Sequence, residues 1–191
     1  MASDPAAELE HLAAAIRRCQ RCRLHEGRTR AVPGEGPPGA EWVLLGEGPG
    51  AAEDRTGRPF VGPAGRLLTE LLTEAGLARE AVFITNCVKC RPPANRPPRR
   101  DELETCTGLW LHRQLDLIGP RLVVLLGQVA TRQLLGDTAT VGRCHGTLRQ
   151  QDGRRYFVTY HPAAALRSPA VAAALRADFQ ILGGILAALR S

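Results

Sequence analysis

The chain has 191 residues, a formal net charge of +6 and a pI near 9.4. This length predicts one α/β domain, spanning residues 1–191, with a sizeable hydrophobic core. No segment resembles a signal peptide or a membrane span, so we expect a cytoplasmic monomer whose cysteines bind a metal or stay reduced. The positive charge favours an anionic partner such as nucleic acid.

The N-terminal part is predicted to be a helix followed by a loop. Residues 1–22 carry an amphipathic helical pattern with Asp4 as a candidate N-cap, and they end in the CxxC pair Cys19 and Cys22. Residues 23–41 are polar and rich in Gly and Pro, which indicates a loop.

The rest of the chain alternates between short apolar runs and amphipathic segments. This alternation predicts a three-layer α/β/α fold around a central, mostly parallel four-stranded sheet. A weakly alternating segment around Asp152 and Gly153 predicts a hairpin. The predicted strands cover residues 42–45, 81–85, 121–126 and 156–160, and the predicted helices cover residues 66–75, 101–118, 127–135 and 169–190.

The stretch after the first predicted strand, GEGPGAAEDRTGRPFVGPAG, lies at a strand-to-helix turn, where α/β proteins place their ligands. It contains the carboxylates Glu47 and Glu53, and it contains Phe60 in a chain that has few aromatic residues. The stretch does not match GxGxxG, and no Gly-Lys-Ser/Thr follows. It is therefore neither a dinucleotide fingerprint nor a P-loop.

Three predicted strands are followed by residues that can take part in catalysis: Glu47, Asn86 and His161. We expect them to converge, because the carboxyl ends of parallel strands share one edge of the sheet. An Asn amide matches a base edge that has a carbonyl beside an N–H, and Phe60 can stack on that base. A His can donate to an oxygen that gains charge, and a carboxylate can orient water or stabilise a cationic sugar. Each residue alone has an ordinary structural explanation, but the combination predicts cleavage of an N-glycosidic bond.

The cysteine spacing predicts a metal site. Cys19 and Cys22 lie at a helix end, Cys90 follows the second strand, and Cys106 lies in the next helix. Four thiolates suit zinc or an iron–sulfur cluster. Cys87 forms a competing CxxC pair with Cys90, and spacing alone leaves open whether Cys87 is a ligand or whether no cysteine is.

Three segments of the chain resemble the signature blocks of the family 4 uracil-DNA glycosylases, bacterial and archaeal enzymes that carry a [4Fe–4S] cluster. The segments are GEGPGAAEDRTGRPFVGPAGRLL, ITNCVKCRPPANRPP and HPAAALR. The resemblance extends from about Cys19 to the final helix. It implies a uracil-DNA glycosylase-like fold and an enzyme of base excision repair that hydrolyses the N-glycosidic bond of uracil in single- or double-stranded DNA. The product is an abasic site.

The resemblance also implies roles for the residues at the strand ends. Phe60 is expected to stack on the flipped uracil, and Asn86 is expected to read its O4 and N3–H edge. His161 is expected to donate a hydrogen bond to O2 of the departing uracil. Glu47 and the backbone at Gly48 are expected to lie on the water side of the sugar.

Further roles concern the rim of the pocket and the metal. Glu53 is expected near the pocket, where it excludes the thymine methyl or supports the loop, and Leu166 with Arg167 resembles the wedge that fills the space left by the base. Lys89 is the chain's one lysine and lies in the second-strand turn, so we expect a monofunctional glycosylase without a Schiff base. The resemblance selects four cluster ligands: Cys19, Cys22, Cys90 and Cys106.

Two alternatives to a hydrolase follow from the same sequence. One is a uracil-DNA-binding relative that crosslinks to abasic DNA, but such proteins carry a His in the loop after the second strand and ANRPPRRDE has none. The other is a non-catalytic, metal-containing nucleic-acid binding module, which would tolerate loss of His161 and Asn86. In each case we expect the arginines of residues 91–100 to contact DNA.

Overall fold

A sheet of five strands forms the centre of the structure, a computed structural model that describes residues 4–190. The strands are β1 (Trp42–Gly46), β2 (Phe83–Asn86), β3 (Leu122–Leu126), β4 (Thr147–Gln151) and β5 (Arg154–Thr159). Their order across the sheet is β2-β1-β3-β5-β4, and every neighbouring pair is parallel except β4 with β5. The predicted α/β class is confirmed. The sheet has five strands rather than four because the hairpin at residues 152–153 adds β4 as an edge strand.

Helices connect the strands and cover the sheet. The predicted helix over residues 101–118 forms as two helices joined by a π-helical turn at Thr107–Leu111. Asp4 is the N-cap of the first helix, as predicted, and its carboxylate accepts from the backbone N–H of Ala6 at 3.1 Å. The helices are α1 (Pro5–Arg18), α2 (Leu24–Gly27), α3 (Ala51–Thr56), α4 (Pro63–Glu74), α5 (Arg100–Cys106), α6 (His112–Ile118), α7 (Gln128–Leu135), α8 (Val141–Cys144), α9 (Pro162–Ala165) and α10 (Pro169–Arg190).

Four short helices are not predicted by the sequence: α2, α3, α8 and α9. α2 interrupts the predicted loop, and α3 lies inside the Gly-rich stretch after β1. α3 has 6 residues, begins after Gly50 and ends at Gly57, whose φ of 74° is left-handed. A helix of fewer than two turns shows no apolar period, so its pattern cannot be distinguished from that of a loop.

Both faces of the sheet are buried, which gives the predicted three layers. Alternate residues of β1 point to opposite sides, so Leu44 lies in one core cluster while Val43 and Leu45 lie in the other. On the Leu44 side the sheet packs against α4 and α10, and on the other side it packs against α1, α6 and α7. Helical residues in the two clusters include Leu68, Leu71, Leu175, Phe179 and Leu182 on the first side and Leu9, Leu115, Ala130 and Leu134 on the second.

The final helix corrects one expectation of the sequence. Pro169–Ala188 is long and apolar enough to cross a membrane by length and composition, with a mean hydropathy of 1.4. Many alanines raise that mean, and Phe179 with Leu182 packs in the core. Asp178 is buried in the middle of the helix and accepts from the Thr159 hydroxyl at 2.7 Å. This pattern is typical of a helix that packs against a sheet.

Candidate active site

A pocket of about 380 Å³ lies at the carboxyl edge of the parallel strands. It brings together most of the residues that the sequence singled out, and it adds residues of the 91–100 loop. Leu166 is not on its wall and is 53% exposed. The walls include Glu47, Gly48, Glu53, Phe60, Asn86, His161 and Arg167, together with Pro92, Asn95 and Arg96.

Asn86 ends β2 directly opposite Gly46 of β1, and its side chain is buried. Its Oδ1 atom has no hydrogen-bond partner among the described residues. A Cβ atom at Gly46 would lie 2.4 Å from this oxygen and 2.6 Å from the Phe60 ring, so only glycine fits there. A buried acceptor without a donor is costly, so this oxygen is suited to a ligand that brings an N–H.

His161 follows β5 and is the N-cap of α9. Its Nδ1 atom accepts from the backbone N–H of Ala163 at 3.1 Å, which places the proton of the neutral ring on Nε2. Burial, assisted by the positive charge of Arg167, lowers the pKa of His161 to about 4. At neutral pH the ring is therefore uncharged and offers one N–H donor.

Phe60 lines the pocket beside Gly46 at the end of β1, with its ring centroid 5.5 Å from that of His161 and the rings tilted by 31°. Its φ of 49° is left-handed, a conformation that costs a non-glycine residue about 1–2 kcal/mol. Arg79 holds this turn, because its guanidinium donates to the carbonyls of Phe60 at 3.1 Å and Pro59 at 2.7 Å. A Cβ atom at Gly65 would lie 1.8 Å from the Phe60 carbonyl oxygen. The strain is thus fixed by contacts that the sequence pattern does not reveal.

Glu47 follows β1 and faces the pocket. Burial raises the pKa of its carboxyl above the usual range. Within residues 4–190 no side chain or backbone donor is recorded for this carboxylate, so it is free to contact substrate or water. The adjacent Gly48 has no room for a side chain, because a Cβ atom there would lie 2.8 Å from Val88.

The Glu53 carboxylate accepts hydrogen bonds from the backbone of its own loop. This carboxylate lines the pocket, but both of its oxygens accept backbone hydrogen bonds across the Gly-rich stretch. This geometry favours support of the loop over a direct part in the chemistry. The donors are the N–H groups of Gly50 at 3.1 Å, Val61 at 2.9 Å and Gly62 at 2.8 Å.

Replacing Glu53 with Gln is expected to destabilise the loop without changing base preference. The amide keeps one acceptor oxygen but loses the charge and turns an NH₂ group toward a donor, so we expect a loss of about 1–3 kcal/mol of stability. Excision assays on uracil and thymine substrates and thermal melts measure the two effects. Glu70→Gln is the control, because it removes the same charge from an exposed residue. Thymine excision by Glu53→Gln would instead place Glu53 in base selection.

Most arginines of the 91–100 loop form hydrogen bonds or ion pairs with other side chains of the protein. Arg91 donates to Asn95 at 2.8 Å, and Arg96 makes a two-pronged ion pair with Glu102, whose side chain is fully buried. This pair ties the pocket wall to α5. The expected DNA contacts of the loop remain a prediction, because these arginines also have partners in the protein.

Cys19, Cys22, Cys90 and Cys106 surround one small cavity between α1, α2 and α5. Arg28 donates to the Cys90 sulfur at 2.9 Å, and burial raises the pKa of the Cys106 thiol to about 12. Cys90 and Cys106 are buried, whereas Cys19 and Cys22 are partly exposed. The cavity collects the four thiols that the sequence favoured, and these residues could hold a metal cofactor.

The structure separates Cys87 from this group. Its side chain is fully buried in the core cluster of β1 and β3, and burial raises its pKa to about 12. It does not line the cysteine cavity. The alternative that spacing left open therefore finds no support in the geometry.

Lys89 is fully buried between the pocket and the cysteine cavity. Burial lowers the pKa of its ammonium to about 8, so at neutral pH it is mostly charged. Its Nζ atom donates only to neutral oxygens in the described structure and lies too deep to attack a sugar. The expectation that no lysine forms a Schiff base agrees with this position.

Comparison with known proteins gives a consistent result. The sequence profile of the Uracil DNA glycosylase superfamily matches residues 33–181. The chain is 44% identical over 184 residues to the Type-4 uracil-DNA glycosylase of Sulfurisphaera tokodaii, covering 90% of this chain and 82% of the relative. It is 44% identical to that of Pyrobaculum aerophilum, covering 91% and 90%, and 43% identical to that of Thermotoga maritima, covering 84% of each.

Proposed function

The chain belongs to the uracil-DNA glycosylase superfamily and, within it, to the type-4 enzymes, and from this premise we propose how its pocket excises uracil from DNA. The reaction is hydrolysis of the N-glycosidic bond, which leaves an abasic site for repair. The observation that carries the proposal is the unpaired, buried Oδ1 of Asn86, a residue that lines the pocket together with Phe60 and His161.

Base recognition follows from the Asn86 amide. Its Oδ1 accepts the N3–H of uracil, and its NH₂ donates to O4. Cytosine lacks that N–H and presents an amino group at position 4, so it would leave Oδ1 unpaired and set two donors against each other. Removing the base from the DNA stack costs a few kcal/mol, and stacking on Phe60 offsets part of that cost.

Bond cleavage separates charge, and the pocket stabilises both products. The C1′–N1 bond breaks with its electron pair on uracil, and the Nε2–H of His161 donates to O2, where negative charge develops. Glu47 faces the sugar and stabilises its positive charge. Water then bonds to C1′ and releases a proton, which the Glu47 carboxylate can accept because burial raises its pKa.

The acid limb of the pH profile should report Glu47. Activity needs the carboxylate, so kcat should fall as pH drops through the raised pKa of Glu47, before His161 protonates near pH 4. Glu47→Gln should lower the plateau value of kcat by roughly 10²-fold. As pH drops, kcat of this variant should fall only near the pKa of His161. Single-turnover rates across the acidic range measure both profiles. An unchanged acid limb in Glu47→Gln would assign that limb to another group.

For the cysteine cavity we propose a [4Fe–4S] cluster held by Cys19, Cys22, Cys90 and Cys106. The donor set fits, because four thiols share one cavity and cysteine thiolates are the ligands that hold such clusters. When bound, the cluster would supply a cross-link between α1 and the segment from Cys90 to α5.

Replacing Cys106 with Ser should remove the cluster and destabilise the protein by several kcal/mol, because binding of a structural metal contributes directly to folding. Iron and sulfide content, visible absorbance and a thermal melt measure this outcome. Cys87→Ala is the matched control, since this buried thiol lies outside the cavity. Full iron content in Cys106→Ser, or its loss in Cys87→Ala, would contradict the assigned ligands.

An oligonucleotide with one deoxyuridine tests the proposed reaction in single-stranded and duplex form. Incubation followed by alkali should break the strand at that position, and borohydride should trap no protein–DNA adduct. A thymidine oligonucleotide is the control. A stable adduct would indicate the crosslinking alternative, and binding without alkali-sensitive sites would indicate a non-catalytic module.

A further inference from the structure

The buried ammonium of Lys89 has no role in the reaction described so far. Its three hydrogen-bond acceptors are neutral, and within residues 4–190 no carboxylate forms an ion pair with it. All three ammonium protons have defined acceptors, so the side chain ties three parts of the chain together. The acceptors are Thr85 Oγ1 at 2.7 Å, the Asn86 carbonyl at 2.7 Å and Gln114 Oε1 at 2.6 Å.

Lys89 is itself held firmly from several directions. Its backbone N–H donates to the Cys106 sulfur at 3.3 Å, and its carbonyl accepts from Val32 at 2.7 Å. Gln114 is anchored in turn, because its amide donates to the Pro33 carbonyl at 2.8 Å. The ammonium therefore links the wall of the cysteine cavity to the main chain of Asn86.

The peptide that follows Asn86 is held at both of its polar groups: its carbonyl accepts from Lys89 at 2.7 Å, and its N–H, that of Cys87, donates to the Gly46 carbonyl at 2.9 Å. The Oδ1 of Asn86 has no protein donor, so no hydrogen bond from the protein fixes that end of the amide before substrate enters. Packing against Gly46 and Phe60 limits the space, but the direction of the side chain is set by the peptide that carries it. That peptide lies at the end of β2, and Lys89 bonds its carbonyl. A shift of about 1 Å in a recognition group can cost 10²-fold in rate.

We propose that Lys89 is a positioning residue for uracil excision: its ammonium fixes the Asn86 peptide so that the unpaired amide oxygen meets the N3–H of uracil. The inference rests on the proposed function, in which Asn86 reads the base. It predicts that loss of the ammonium impairs recognition of the base itself and leaves contacts with the DNA backbone intact. A purely structural lysine would affect both together, or only stability.

The test compares Lys89→Met with Thr85→Val in the cluster-containing protein. The methionine fills the space without donating, whereas the valine removes one acceptor of Lys89 and leaves its bond to Asn86. We expect Lys89→Met to raise the inhibition constant of free uracil by about tenfold or more and to lower kcat, with an unchanged dissociation constant for an abasic-site oligonucleotide. Thr85→Val should keep the wild-type inhibition constant within about twofold.

The outcomes separate the inference from the function on which it rests. Wild-type protein that fails to excise uracil would overturn the proposed function. Excision by the wild type, together with an unchanged uracil inhibition constant in Lys89→Met or equal weakening of abasic DNA binding, would overturn the role of Lys89. Should Lys89→Met fail to fold, Lys89→Gln, whose amide can still donate to one oxygen, is measured in the same way and is expected to change in the same direction.

Discussion

Replacing Asn86 with Leu should abolish uracil excision while leaving the protein about as stable as the wild type. The amide provides both hydrogen bonds that distinguish uracil, and a site built around such bonds loses about 10³-fold or more in rate without them. In the free protein, however, Oδ1 is buried without a partner, a penalty of about 1–3 kcal/mol. Leucine has a similar shape and no polar atoms, so it removes that penalty without opening a large cavity.

Single-turnover excision and thermal melts measure the two effects on the same preparations. Asn86→Ala serves as the control for size, because it removes the same polar atoms but leaves a cavity, and it should be inactive and less stable. The combination expected of Asn86→Leu, lost activity with retained stability, is characteristic of a residue kept for function. Retained excision, or unfolding in Asn86→Leu alone, would contradict a role in base recognition.

Replacing His161 with Ala should lower kcat by about 10²–10³-fold, which is typical for removal of one donor to a developing anion. The substitution also removes the N-cap of α9, worth about 1 kcal/mol, so a drop in activity alone would be ambiguous. His161→Asn resolves this, because Asn is a good N-cap but its shorter side chain does not extend to the position of Nε2. We expect His161→Asn to recover stability and to remain nearly as slow as His161→Ala.

Substrate affinity distinguishes this mechanism from a general defect in the pocket. Because the neutral ring donates mainly to charge that develops during bond cleavage, KM should change little while kcat falls. Steady-state kinetics on the deoxyuridine oligonucleotide provide the separation. A large rise in KM with unchanged kcat would show that His161 serves binding rather than departure of the base.

The sequence was sufficient to predict which strand ends meet at the pocket. Glu47, Asn86 and His161 are far apart in the chain, but each follows a strand of a parallel sheet, and the geometry of such sheets brings those positions together. The hydrophobic pattern of β1 and β3 is nearly continuous, as expected for strands buried on both faces. The fold class could therefore be predicted without any knowledge of individual contacts.

What the sequence did not reveal depends on contacts between distant residues. Arg79 supports the turn at Phe60 through two backbone carbonyls, and the pairing of Arg96 with Glu102 fixes one wall of the pocket. Neither contact has a local periodicity or motif. The assignment of Glu53 to loop support likewise rests on the folding of α3, a helix too short to show a helical pattern.

The most direct test of the mechanism compares uracil with 5-fluorouracil as leaving groups in wild-type protein and in His161→Asn. Fluorine withdraws electrons and stabilises the departing anion, so it should compensate for the lost hydrogen bond to O2. We expect the ratio of single-turnover rates, 5-fluorouracil over uracil, to be larger in the variant than in the wild type by about tenfold or more. Equal ratios in the two proteins would contradict the claim that His161 stabilises the uracil anion.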